Sequence, residues 1–211
     1  MIPYHKIQTV YLRDPETKFK TLLEGQFATD AIAYLADREW LWTEKIDGTN
    51  IRVHFDGEKI RYGGRTDAAQ IPAVLFTELQ ETFEDNASLR DIGPCTLYGE
   101  GYGEKIQSGG HYIVGGCGFI LFDVLIGDLW LKREDVLDVG SKLGVNVVSE
   151  VGHGTLAEAV EFARQGFRSC AAEKERPAEG LVMRPSVDLF DRRGDRVIAK
   201  IKAKDFPKEE R

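Results

Sequence analysis

Lys45 stands in the run Leu41-Trp-Thr-Glu44-Lys45-Ile-Asp47-Gly48-Thr-Asn50-Ile-Arg-Val-His-Phe55, a lysine followed at fixed spacing by a carboxylate, a glycine and an amide. The chemistry open to such a lysine is that of its free amine. In water its pKa is about 10.4, so at neutral pH roughly a few molecules in ten thousand carry a lone pair able to attack an electrophile. Depressing it by three units costs roughly 4 kcal/mol, which neighbouring cations can supply. Lys200 and Lys202, in Val197-Ile-Ala-Lys200-Ile-Lys202-Ala-Lys204, are the candidate cations. By itself the run also describes a hairpin with one surface lysine, and short motifs of this kind arise often by chance.

Other groups along the chain have chemical potential of their own. Arg65 follows Gly63-Gly64, where a guanidinium can fork onto a phosphate or remain a solvated loop residue. Glu100 lies in a strand that breaks into glycines, a pattern matching neither a P-loop nor a dinucleotide fingerprint. Asp123 is the one charge in Gly118-Phe-Ile-Leu-Phe122-Asp123-Val-Leu-Ile126, and a strand buried on both faces rarely carries an aspartate without a partner or a task. Strict alternation places Phe122 on the opposite face from Asp123. Lys200, Lys202 and Lys204 share one face of the expected strand. They serve either to protect an exposed sheet edge or to meet one anion.

The elements that must hold these groups follow from periodicity. The lysine sits where a strand ends in a glycine turn, and the next strand sets Ile51, Val53 and Phe55 against Asn50, Arg52 and His54. Asp56-Gly57 turns that strand back into Glu58–Tyr62. Helices are expected around Asp30 to Arg38, over Ile71 to Phe83, over Glu134 to Leu143 and over Thr155 to Gln165. The last opens with Thr155-Leu-Ala-Glu158 as a capping box and closes at Gly166. The first forty residues carry nothing that looks catalytic.

Composition narrows the classes. A chain of 211 residues with 42% hydrophobic and 30% charged residues is read as a single globular domain over 1–211. It shows no membrane span and no signal-peptide core. Cys95, Cys117 and Cys170 are too few and too far apart for a disulfide framework or zinc site, so a reducing, cytoplasmic setting is expected. The four histidines, His5, His54, His111 and His153, lack ligand spacing. A net charge of −7 argues against nonspecific coating of nucleic acid. Yet residues 184–211 hold nine Lys or Arg against six Asp or Glu, which suggests a focused anion site.

Taken together, Lys45-Ile-Asp47-Gly48-Thr-Asn50, Tyr98-Gly-Glu100, Phe119-Ile-Leu-Phe122-Asp123, Glu179-Gly-Leu-Val-Met183 and Lys200-Ile-Lys202 resemble, in order, motifs I, III, IIIa, IV and V of the covalent nucleotidyltransferases. That superfamily contains polynucleotide ligases and mRNA capping enzymes. Asn50, where DNA ligases and capping enzymes commonly carry arginine, and Arg65 resemble the RNA ligase 2 type. The resemblance implies an α+β, ATP-grasp-like nucleotidyltransferase domain of mixed, largely antiparallel sheets with flanking helices, without a C-terminal accessory domain.

It also implies the roles. Lys45 attacks ATP to form a lysyl-AMP, and the AMP passes to a 5′-phosphate RNA end that a 3′-hydroxyl then seals. Phe122 stacks on adenine, Glu44 reads the adenine edge and Glu100 contacts the ribose. Arg65, Lys200 and Lys202 bind phosphates and Asn50 orients the reacting end. Asp47, Glu100 and Glu179 hold Mg²⁺ or Mn²⁺. The resemblance also admits a DNA ligase, a capping-type guanylyltransferase or a non-catalytic nucleotide- or RNA-binding module.

Overall fold

The computed structural model describes residues 1–107 and 112–206. Its strands, in chain order, are β1 (Gln8–Thr9), β2 (Tyr11–Arg13), β3 (Leu22–Phe27), β4 (Trp40–Lys45), β5 (Thr49–Phe55), β6 (Ile60–Gly63) and β7 (Cys95–Gly103). They continue as β8 (Cys117–Ile126), β9 (Leu129–Trp130), β10 (Asn146–Val147), β11 (Glu150–Gly154), β12 (Gly180–Pro185) and β13 (Ala199–Lys202). The helices are α1 (Asp30–Leu35), α2 (Ala73–Phe83), α3 (Ala87–Ile92), α4 (Arg133–Leu143) and α5 (Leu156–Gln165). Among the described residues no helix is long and apolar enough to cross a membrane. His111 lies outside the described residues.

The chain forms two compact units. Residues 1–4, 46–148 and 171–174 make the first, and the rest of the chain makes the second, so one of the crossings falls between Lys45 and Ile46.

In the second unit five strands run in the order β1-β13-β12-β4-β11. All pair antiparallel except β1 with β13. Trp40 and Trp42 on β4, Leu181 and Met183 on β12, and Ala199 and Ile201 on β13 bury one face. They meet Ile32 of α1 and Leu156, Ala159, Val160 and Ala163 of α5. The 3.6-residue recurrence along α5 aims these side chains at the sheet. Each fully buried large aliphatic contributes about 1.5–3 kcal/mol. The expected capping box is present, with Thr155 accepting from the Glu158 N–H while Glu158 accepts from Thr155. Lys45, Lys200 and Lys202, at the alternate positions, fall on the other face.

One sequence expectation is corrected here. Lys204 leaves the strand, because β13 ends at Lys202 and Ala203–Asp205 form a short 3₁₀ turn. Asp205 causes it by accepting from the Lys202 N–H while gripping Arg13 with both oxygens at 2.8 Å. Nor is β13 an edge strand, since β1 and β12 flank it, so edge protection does not explain its lysines.

In the first unit the path is β10-β8-β7-β5-β6, with β9 beside β8. Helices α2, α3 and α4 cover one face, where Leu75, Leu79, Phe83, Leu89, Val136 and Val139 meet Ile51, Val53, Leu97, Leu121 and Val124. Helix α3, absent from the sequence expectations, is short but capped by the Asn86 side chain. The two sheets with their covering helices make a mixed α+β fold with largely antiparallel pairing.

The opposite face of this sheet receives Asn50 and Arg52 from β5, paired directly with Glu100 and Tyr98 of β7. Residues opposite each other in a ladder share a face. Along β8 the parity breaks. Tyr98 pairs with Asp123 but Gly99 pairs with Leu121, leaving Phe122 as the extra residue of a bulge. Phe122 and Asp123 therefore meet the same residue, Tyr4, whose ring lies 5.0 Å from Phe122 and whose hydroxyl donates to Asp123 at 2.7 Å. The expected opposition of Phe122 and Asp123 does not hold.

Gly48 is fixed by close approach. A Cβ there would lie 2.2 Å from the Gly101 carbonyl oxygen and 2.8 Å from Glu100 Cγ. The first neighbour is backbone of a central strand and cannot swing aside. Gly48→Ala is expected to cost about 1–3 kcal/mol, in line with overpacking elsewhere. An unchanged midpoint in urea unfolding would contradict this.

Candidate functional site

Lys45 ends β4, opposite Gly180 of β12, and Gly180 in turn pairs with Lys202 of β13. A Cβ at position 180 would lie 2.1 Å from the Ile201 carbonyl oxygen, so no side chain stands between the two lysines. Glu179 fills the gap. Its Oε2 accepts from Lys45 Nζ at 2.5 Å and its Oε1 from Lys202 Nζ at 2.6 Å. Direct pressure of Lys202 on Lys45, the sequence expectation, is replaced by a counter-ion shared between them. Lys200, one row further along β13, faces the same side and is half-buried.

Burial pushes the Glu179 carboxyl up, but the Lys45 and Lys202 ammonium groups outweigh it and hold it below the usual carboxylate range. A carboxyl lowered on folding contributes stability above its unfolded pKa, near 4.3, and loses it as pH falls through the folded value. Glu179→Gln is therefore expected to unfold at lower urea than the native chain at pH 7, with the two midpoints converging as pH falls below about 4. Parallel curves at a constant offset from pH 7 to pH 3 would refute the ionic origin.

Glu44 is placed differently from what its neighbour suggested. It pairs with Leu181 on the core face of β4, opposite Lys45, and is 1% exposed. Both its oxygens are engaged, one by the Ser169 hydroxyl and one by the Cys170 N–H at 2.7 Å. It anchors residues 169–170.

The first unit holds Asp47, Asn50, Arg65, Glu100 and Phe122. The Asp47 N–H donates to the Tyr112 hydroxyl at 2.9 Å, and Tyr112 is wholly buried with Ile46, Tyr102 and Ile120. Asn50 and Glu100 stand side by side across the β5–β7 ladder. Asn50 Oδ1 is buried with no hydrogen-bond partner, an open acceptor of the kind that buried sites normally fill. Phe122 is half-buried, packed edge-on against Tyr4.

Arg65 is exposed, but the loop before it is held by a residue the sequence did not single out. Arg52 is 1% exposed; it donates to the Gly64 carbonyl at 2.7 Å, the Met1 carbonyl at 3.0 Å and Asp67 at 2.8 Å. The Tyr98 hydroxyl likewise donates to the Ile2 carbonyl at 3.0 Å. Residues 1–4 are thus tied to the face that carries Asn50 and Glu100. The period-2 position of Arg52 between Asn50 and His54 gave its face but not its burial or its partners. Tyr4 left no signal.

Among the described residues no three His, Cys, Asp or Glu side chains are gathered closely enough to cage a metal. Asp47 and Glu100 are half-buried carboxylates, and Glu179 is already occupied by two ammonium groups. Carboxylates of this kind, taken one by one, suit a hydrated Mg²⁺ or Mn²⁺ that keeps most of its water rather than a closed protein cage.

The comparisons come to the same fold. The RNA ligase family model matches residues 38–202. No curated protein matches the chain. An apo mutant of the Naegleria gruberi RNA ligase is 18% identical, with a TM-score of 0.70 over 96% of this chain and 56% of that one. A mutant of the same ligase with AMP and Mn gives 18%, 0.68, 96% and 56%. Another with ATP and Mn gives 19%, 0.64, 82% and 51%. At this identity the likeness is one of fold, and the chain spans about half the length of those structures.

Proposed function

Because this chain belongs to the RNA ligase family, we propose that it is an ATP-dependent RNA ligase working through a covalent lysyl-AMP. The observation that carries the reading is Lys45 at the end of β4, held by Glu179 in one row with Lys202. The finer reading of the fold is an ATP-grasp-like nucleotidyltransferase domain to which both units belong. The Naegleria gruberi structures with ATP, AMP and Mn support the nucleotide and metal assigned below.

Lys45 sheds a proton and its amine attacks the α-phosphorus of ATP, forming an N–P bond as pyrophosphate leaves. An oxygen of a 5′-phosphate RNA end then attacks that phosphorus and frees Lys45. Finally a 3′-hydroxyl attacks the activated 5′-phosphorus, AMP leaves and the strand is sealed. Glu179 in its resting pose holds the Lys45 side chain in an ion pair, and releasing that contact is what frees the nucleophile. Lys200 and Lys202 offset charge on the phosphates. Phe122, braced by Tyr4, supplies the adenine platform and Glu100 the ribose contact. Asn50 offers its open acceptor to the reacting end, and Arg65 receives a phosphate on a loop steadied by Arg52. Glu44 is assigned to anchoring residues 169–170. A Mg²⁺ or Mn²⁺ ion held by Asp47, Glu100 and Glu179 through its water shell would neutralise phosphate charge.

Incubation with ATP labelled at the α-phosphate and Mg²⁺ tests the reading. The chain should acquire one acid-labile label, ATP should be preferred to GTP, and ends of RNA to ends of DNA. A native chain that takes no label overturns the covalent mechanism.

A further inference from the structure

A concavity of about 750 Å³ lies wholly within the second unit, bounded by β1, β13, the 3₁₀ turn and the turn between β2 and β3. Six cations line it, Lys6, Arg13, Lys20, Lys200, Lys202 and Lys204, against one carboxylate, Asp205. That carboxylate is spent on Arg13. On a chain with a net charge of −7, this is the focused cationic surface that the sequence pointed to without its outer members, Lys6 and Lys20.

The rim is not merely basic. Phe19, 62% exposed, stands beside Lys20 with its backbone at φ +60°, and Lys18 before it is at φ +55°. The left-handed region disfavours a bulky residue, and glycine would sit there without strain. The turn is nonetheless well tied. Phe19 N–H donates to the Asp14 carbonyl at 2.9 Å, and Arg13, fixed by Asp205, donates to the carbonyls of Phe19 and Lys20. An aromatic ring is thus held in solvent, against backbone preference, on the edge of a lysine-lined hollow. A ring that accepts a base face beside cations that follow a phosphate chain is how single-stranded nucleic acid is gripped without sequence preference. Pyrophosphate would use the lysines but leave the ring idle, and the hollow is of the size that takes whole small ligands.

We propose that this hollow is the track of an RNA strand, with Lys6, Lys20 and Lys204 on successive phosphates and Phe19 under one base. The assignment rests on the RNA ligase reading for its ligand, and it places the strand beside Lys200 and Lys202. It gives the chain a grip on RNA through Lys6, Phe19, Lys20 and Lys204, beside the two lysines assigned to the nucleotide's phosphates.

The test uses the full chain and a fluorescein-labelled, 5′-phosphorylated single-stranded RNA of 12 nucleotides, read by anisotropy across a salt series. Phe19→Gly should bind about tenfold more weakly, as loss of one stacked base does, without any loss of thermal stability. Phe19→Trp should restore affinity and show quenched indole fluorescence on RNA binding. Lys6→Ala and Lys20→Ala should each make the plot of log affinity against log salt shallower by about 0.7. Self-labelling by ATP should be unchanged in all four variants. RNA affinity unchanged in Lys6→Ala/Phe19→Gly/Lys20→Ala, with normal labelling, overturns the track and leaves the ligase reading standing. Loss of ATP labelling in that variant would make the hollow a seat for the nucleotide's phosphates and equally overturn it. If the native chain takes no label yet its RNA binding falls in the variants, the track stands and the ligase reading fails.

Discussion

Lys45→Arg is expected to fold as the native chain does and to take no label from ATP. Arginine keeps a positive charge beside Glu179, so the ion pair at the end of β4 survives in kind. A guanidinium with a pKa above about 12 offers no lone pair at neutral pH, and the attack on phosphorus cannot begin. Removing a nucleophile elsewhere costs on the order of 10⁶ in rate, which puts the variant below detection. Lys45→Ala should be equally silent, but it also leaves Glu179 with a single ammonium partner, so the arginine variant separates chemistry from stability. The sealing of an RNA end supplied already adenylylated bypasses the missing step and should survive in Lys45→Arg. Persistent label in either variant would place the nucleophile elsewhere.

The second large effect is structural. Arg52→Met is expected to cost about 3–5 kcal/mol, measured by urea unfolding, as breaking buried charged contacts does. Little of this comes from Asp67, whose side chain is 74% exposed and readily rehydrated. Most comes from the carbonyls of Gly64 and Met1, which lose their donors beside a 1% exposed side chain. Arg52→Lys should rescue only part, because one ammonium cannot reproduce a planar fork aimed at three acceptors. A cost below about 1 kcal/mol would show that water takes over the role.

Those two residues mark what the sequence could and could not show. Lys45 was legible because its run is local, and because four further runs followed in a fixed order. Helices α2, α4 and α5 were legible for the same reason, since periodicity and the Thr155–Glu158 cap are written within a dozen residues. Arg52 was not, because a polar residue alternating with apolar ones reads as solvent-facing until the residues that cover it are known. The partners of Glu179 are 134 and 23 positions away, and no local pattern encodes a carboxylate shared by two lysines. Lys204 was misplaced by a turn that depends on Arg13, 192 positions from Asp205. The burial of Glu44 on the core face of β4 was equally hidden, because its partners Ser169 and Cys170 are 125 and 126 positions away.

The extra residue in β8 has a bearing on any attempt to transplant this face. Copying Phe119–Val124 into a regular ladder would deliver either the ring of Phe122 or the carboxylate of Asp123 to the helix side. Deleting Phe122 would leave a regular ladder in which Asp123 still opposes Tyr98 and Val124 still opposes Leu97, at the cost of the ring itself. A designer who wants both groups on one surface must carry the irregularity along with them, and with it the tyrosine that receives both.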